Sequence, residues 1–95
     1  MLNQRTLGAL CAADQIKTAG EVFARSWGNP GEPGHEVRLF IRRDASYIRG
    51  GDHAAHVVWW ERDGNPFPEE VIAAVHGLES WRAASPETLR LIGPA

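Results

Sequence analysis

Apolar residues recur at helical spacing from Ala9 onward. Ala9, Ala12, Ile16, Ala19, Phe23 and Trp27 form one stripe, which predicts a helix over residues 9–27. Glu21 and Arg25 add an i,i+4 pair on its surface. Residues Gly28 to Gly34 then stop the helix, because two prolines and three glycines in that stretch exclude both helix and central strand. The pattern changes to strict alternation from His35 to Arg43. Val37, Leu39 and Ile41 fall on one face of a predicted strand, and Arg38, Phe40 and Arg42 on the other. A turn at Asp44-Ala45 leads into a short strand, Ser46 to Arg49. Gly50-Gly51-Asp52 turns the chain again into the run Ala54 to Trp60.

That run ends in two adjacent tryptophans, Trp59 and Trp60, before the turn signal Asp63-Gly64-Asn65-Pro66. Neighbouring side chains on a strand leave by opposite faces, so one indole enters the core and the other points away from it. Each indole carries roughly 150–250 Å² of surface, worth about 4–6 kcal/mol at ~25 cal/mol per Å² when buried. Either elements cover both faces of the sheet, or the outer indole belongs to a binding surface. The alternation alone does not choose between them, because Val57 and Val58 are equally apolar, and Trp59 is favoured as the core indole. Trp60 is the outer anchor, because it shares a face with the more polar His56 and Arg62, together with Val58.

A second helix is predicted over residues 67–78. Pro68 suits its first turn, Glu69 and Glu70 complement the positive end of its dipole, and Val71, Ile72, Val75 and Leu78 form its stripe. Beyond Trp81 the signals conflict. Ser85-Pro86-Glu87-Thr88 reads as a capped helical turn, whereas Leu89 to Ile92 alternates like a strand. The resulting order is α-β-β-β-α. It predicts one small α+β domain over residues 1–95, with an antiparallel sheet of three or four strands, at least three of them between residues 35 and 62, and helices packed on one face. The order is similar to that of double-stranded-RNA-binding domains, in order alone. Those domains carry a lysine-rich start to their last helix, where this chain has Phe67-Pro68-Glu69-Glu70, which repels phosphate.

Charge narrows the partners. The net charge of −2 gives no general attraction to nucleic acid or anionic membrane, so such binding needs a local basic patch. The cations are nine arginines against one lysine, Lys17. Arginine favours fixed, bidentate and stacked contacts, although a GC-rich bacterial genome accounts for the same bias. Cys11 stands alone and excludes an internal disulfide, which suits a reducing cytoplasm. It is expected to be a small buried residue of the first helix. Leu7 to Ala13 is too short for a signal peptide core, and nothing approaches a membrane span, so a cytoplasmic protein is expected.

No catalytic constellation stands out. Ser46, Ser80 and Ser85 lack an elbow motif, and the glycines of 28–34 do not follow a strand at phosphate-loop spacing. His53 and His56 lie three apart on a strand, hence on opposite faces, and His35, His76 and Cys11 supply no third ligand at a recognised spacing. No metal, cofactor or catalytic residue is therefore assigned. The expected site is the far sheet face: Arg38, Phe40, Arg42, Tyr47, Arg49 and Trp60. Such a mixture marks protein interfaces. It also stacks on bases and contacts phosphates, and arginine stems can equally lie over rings simply to cover them. The leading expectation is a small non-enzymatic accessory or inhibitory protein, of the type carried by bacterial mobile elements or phages. It would dock on a larger protein and could pair with a second copy. A nucleic-acid binder using the same face is the alternative, and a small enzyme without a familiar motif is the third.

Overall fold

A computed structural model describes residues 3–43 and 55–93. Helix α1, Gln4–Lys17, starts at Asn3, whose side-chain oxygen accepts from the Thr6 amide at 2.7 Å. Its buried stripe is Ala9, Ala12, Ala13 and Ile16. Three of these are alanines, so the helix backbone lies close to its neighbours. The helix ends at Lys17, and the next residues form strand β1, Glu21–Trp27. This corrects the expected helix over 9–27. The Gly20 amide donates to the Arg42 carbonyl at 2.8 Å, which opens the ladder to strand β2, Glu36–Arg42. Strand β3, Ala55–Arg62, pairs with the other side of β2. The sheet is antiparallel, in the order β1-β2-β3.

The order α-β-β-β-α thus holds, with β1 drawn from the end of the expected first helix. Two strands, not three, lie between residues 35 and 62 among the described residues. The expected strand 46–49 falls outside them. Helix α2 covers Glu69–His76, with both glutamates in its first turn. Trp81 sits in a 3-10 helix, Glu79–Ala83. Residues Pro86–Ile92 form helix α3, and the capping signal prevailed there over the alternation: Ser85 Oγ accepts from the Thr88 amide at 3.3 Å, with Pro86 in the first turn.

All helices serve one face of the sheet. Val22, Val37, Leu39 and Ile41 point to that face and are buried with Ala9, Ile16, Phe67, Val71, Val75, Trp81, Leu91 and Ile92. The Ser80 hydroxyl in the 3-10 segment also accepts from the Val22 amide at 3.1 Å and so ties that segment to β1. At the far end of β3, the Arg62 carbonyl accepts from Asn65 at 3.1 Å across Asp63 and Gly64, both at positive φ (55° and 79°). This is the two-residue turn expected of Asp-Gly. Asp63 further accepts from the Gly34 amide at 2.8 Å, and its own amide donates to the His35 carbonyl at 2.7 Å, so the β1–β2 loop is pinned to this turn. Among the described residues, no helix is long and apolar enough to cross a membrane.

One position in α1 is under-used. A methyl group at Gly8 would meet Trp59 Cζ3 at 3.5 Å, an ordinary van der Waals contact. Alanine is also about 1 kcal/mol better than glycine inside a helix. Gly8→Ala is therefore expected to stabilise the domain by about 1 kcal/mol, a rise of about 4–8 °C in Tm for a domain of this size. A calorimetric or circular-dichroism melt checks this, and a fall in Tm would mean that α1 and Trp59 do not meet as described.

Candidate interaction surface

Because the helices cover one face, the opposite face of the sheet is composed of strand side chains alone among the described residues. Register arranges them in four cross-strand rows. Glu21 lies beside Arg42 and Ala55; Phe23 beside Phe40 and Val57; Arg25 beside Arg38 and Trp60; Trp27 beside Glu36 and Arg62. Directly opposed side chains on one face are near enough to interact, and these do. The Phe23 and Phe40 rings stack with centroids 5.1 Å apart and planes within 5°. Arg42 Nη1 bonds Glu21 Oε1 at 2.7 Å, and Arg38 Nε bonds Glu36 Oε1 at 2.7 Å.

Guanidinium groups lie over the rings. Arg42 and Arg25 place Cζ 5.0 and 5.6 Å from the centre of Phe23, and Arg38 lies 4.3 Å from the centre of Trp27. Each such contact is worth about 0.5–1 kcal/mol at an exposed site. Phe23 and Phe40 are accordingly partly buried, whereas Trp27 remains 42% and Trp60 54% exposed. The face carries four arginines and two glutamates on a chain whose net charge is −2. Positive charge is therefore concentrated here. The arrangement can offer flat rings, aligned guanidinium donors and a local positive field to a partner.

Of the residues expected at this site, Arg38, Phe40, Arg42 and Trp60 come together, and Tyr47 and Arg49 lie outside the described residues. The sequence reading missed Phe23, Arg25 and Trp27, because it placed them in a helix. It also left Glu21, Glu36 and Arg62 out of the site. Glu21 pairs across the sheet with Arg42, not along a helix with Arg25. The signal for the missed strand is the alternation of Val22 and Ala24 with Phe23, Arg25 and Trp27, which directs all three missed residues to one face.

The two adjacent indoles separate as expected, with one correction to their neighbours. A register irregularity opposite Leu39 and Phe40 pairs Leu39 with Trp59 and Phe40 with Val57. It leaves Val58 as the extra residue of a bulge. Val58 and Trp59 both pack against the core, and His56 lies opposite Ile41 on the core side. Trp60 therefore shares its face with Val57, not with His56 and Val58. Trp59 Nε1 donates to Glu61 Oε1 at 2.9 Å, and the Arg5 guanidinium both pairs with that carboxylate and lies 5.3 Å from the Trp59 ring centre. Glu61 is only 7% exposed, so these partners hold a charge that is nearly buried.

Between α1 and β3 runs a groove of about 940 Å³ containing Trp59, Glu61, Arg5 and Cys11. Cys11 is exposed there, not buried. The helix stripe turns Ala9, Ala12, Ala13 and Ile16 inward, and Cys11 falls between them on the outer side. His56 Nε2 lies 3.1 Å from Gln15 Oε1, and His35, the last residue of the β1–β2 loop, is buried. Among the described residues, no three His, Cys, Asp or Glu side chains converge in a way that could hold a metal.

Trp59 and Trp60 should respond unequally to truncation. Trp59→Ala removes a ring packed between α1 and the sheet and takes a donor from nearly buried Glu61, at a cost of about 3 kcal/mol. Trp60→Ala should cost less than about 1 kcal/mol, as an exposed substitution. Paired thermal or urea melts measure the difference, and equal losses would mean that both faces of the sheet are covered.

The sequence matches no protein-family model, no curated protein and no solved structure, so the function of this chain must be argued from its own geometry.

Proposed function

We propose that the chain is a small interaction module that docks on a larger protein through the outer face of its sheet and acts as an accessory or inhibitory subunit, not as an enzyme. One observation carries this: two indoles, Trp27 and Trp60, stand about half exposed on a sheet face that carries no helix among the described residues. Tryptophan and arginine dominate the energetic centres of protein interfaces, where a rigid ring gives a large contact at little entropic cost. A partner surface that takes the place of water over Trp60 gains that area without rearranging the fold. A reducing compartment such as the cytoplasm suits a chain with one cysteine.

The ion pairs favour protein over nucleic acid. Arg38 and Arg42 already share their charge with Glu36 and Glu21, and those two carboxylates repel a continuous phosphate chain. A second copy of the chain would cover the same rings. It would also set two faces with an excess of arginine against each other, which disfavours self-association relative to a distinct partner.

Capture from a bacterial lysate on immobilised protein, with and without nuclease, tests the proposal when run beside Trp60→Ala and Arg38→Ala variants of unchanged melting temperature. The expected result is one protein retained after nuclease and at about 0.5 M salt, where exposed charge pairs are largely screened, and lost from both variants. Retention of nucleic acid alone, or of the same protein by Trp60→Ala, overturns it. Sedimentation of the free chain should give the 10.5 kDa monomer. A dimer abolished by Trp60→Ala would assign the face to self-association instead.

A further inference from the structure

The surroundings of Trp60 specify the partner more narrowly than the face as a whole. Beside the indole lies a shallow hollow of about 290 Å³, lined by Glu36, Arg38, Val57, Trp60 and Arg62. Its volume is at the lower limit of small-molecule sites, and it suits one or two side chains of a protein segment. Its walls are of two kinds, an apolar floor of Val57 and the indole, and a charged rim of two guanidiniums around one carboxylate.

The rim is not balanced. Glu36, whose side chain is 13% exposed, bonds Arg38 through its Nε at 2.7 Å. Arg62 Nε stands 3.9 Å from the other Glu36 oxygen, beyond hydrogen-bonding distance, and its side chain is 68% exposed. One carboxylate thus orients two guanidiniums and neutralises only one charge. Arg38 is engaged through Nε, so its paired Nη groups are what an incoming carboxylate would meet end-on.

We infer that this hollow receives an acidic segment of the partner protein, with a carboxylate between Arg38 and Arg62 and a neighbouring aromatic or aliphatic side chain on Trp60 and Val57. This rests on the outer face being the docking surface and adds the chemistry of its ligand. Charge complementarity decides between occupants. A lysine or arginine seeking the Trp60 ring meets two guanidiniums beside it. A phosphate backbone, whose charges are closely and evenly spaced, cannot avoid Glu36. A peptide strand places side chains about 6.6 Å apart on one face, so it can set carboxylates against the arginines and an apolar residue over the indole.

The test uses the whole chain, ¹⁵N-labelled, with three defined probes: an acetylated and amidated peptide in which glutamate and phenylalanine take turns at every second position with threonine between them (Glu-Thr-Phe-Thr-Glu-Thr-Phe), so that both lie on one face of a strand, its counterpart with lysine for glutamate, and an oligothymidylate. The Trp60 indole N–H resonance, assigned by its loss in Trp60→Phe, reports occupation. The acidic peptide should shift that resonance in a saturable way, and Arg62→Glu should weaken its binding at least about tenfold, as expected when an attractive rim charge is reversed. Arg62 is exposed and outside the core, so the variant should fold, and its unperturbed amide spectrum would confirm that. Binding of the lysine peptide as tight as that of the acidic one, preferential binding of the oligonucleotide, no shift with the acidic peptide, or indifference to Arg62→Glu would each overturn the inference. Loss of partner capture in Trp60→Ala together with any of those results would leave the docking face standing and reject only its acidic specificity.

Discussion

Everything on the three strands is sorted by one constraint, that helices cover the sheet from a single side. Strand geometry sends alternate residues to opposite faces. Once Val22, Leu39 and Ile41 are committed to the helices, Phe23, Phe40 and Arg42 have no choice of direction. A slip of β1 by one residue against β2 would turn Phe23 under the helical layer and Val22 out to water. At about 25 cal/mol per Å² the buried aliphatics outweigh any gain from the outer rings, so register is fixed from the core side. The composition of the outer face is its consequence.

The bulge in β3 shows how this sorting is adjusted locally. With unbroken alternation, Val58 would lie on the opposite face from Trp59. The extra residue allows Val58 and Trp59 both to reach the core and still delivers Trp60 to the outer face. Trp59 then takes a position between α1 and Glu61, where its N–H and the Arg5 guanidinium satisfy a carboxylate that has little water. The end of the edge strand is thereby joined to the start of the first helix. These two segments are 56 residues apart in sequence.

How much of this could be read from the residues depended on whether the spacing was unique to one geometry. Val37, Leu39 and Ile41 alternate with charged or aromatic neighbours, which only a strand explains, and they lie where the pattern places them. The spacing of Ala19, Phe23 and Trp27 is four residues. That keeps side chains on one side of a helix and equally on one side of a strand, because four is close to one helical turn and is also an even number. The break at Gly20 and the β-branched and aromatic character of 21–27 favour the strand, and so does tertiary pairing with β2. Cys11 was misplaced because small size and an alanine-rich setting do not reveal the side of a helix, whereas phase relative to Ile16 does. Of the site, β2 and Trp60 were legible. The contribution of β1 was hidden behind the helix assignment, and the bulge carries no sequence signal at Val57-Val58.

The preference for arginine over lysine has a local use whatever its genomic origin. Five of the nine arginines, Arg5, Arg25, Arg38, Arg42 and Arg62, lie at the two indole-bearing surfaces, and four of them sit over an aromatic ring. A planar, weakly hydrated guanidinium can stack on a ring and still bond a carboxylate in its own plane, whereas an ammonium group is compact and strongly hydrated. Arg42 does both, with Phe23 and Glu21, and Arg38 does both, with Trp27 and Glu36. Such pairs keep exposed rings partly covered in the free protein and hold the guanidiniums in fixed positions. A lysine face of the same charge would attract anions more diffusely. The fixed arrangement lowers the entropy lost on docking, and Trp60, which has no guanidinium stacked upon it among the described residues, is left as the point of first contact.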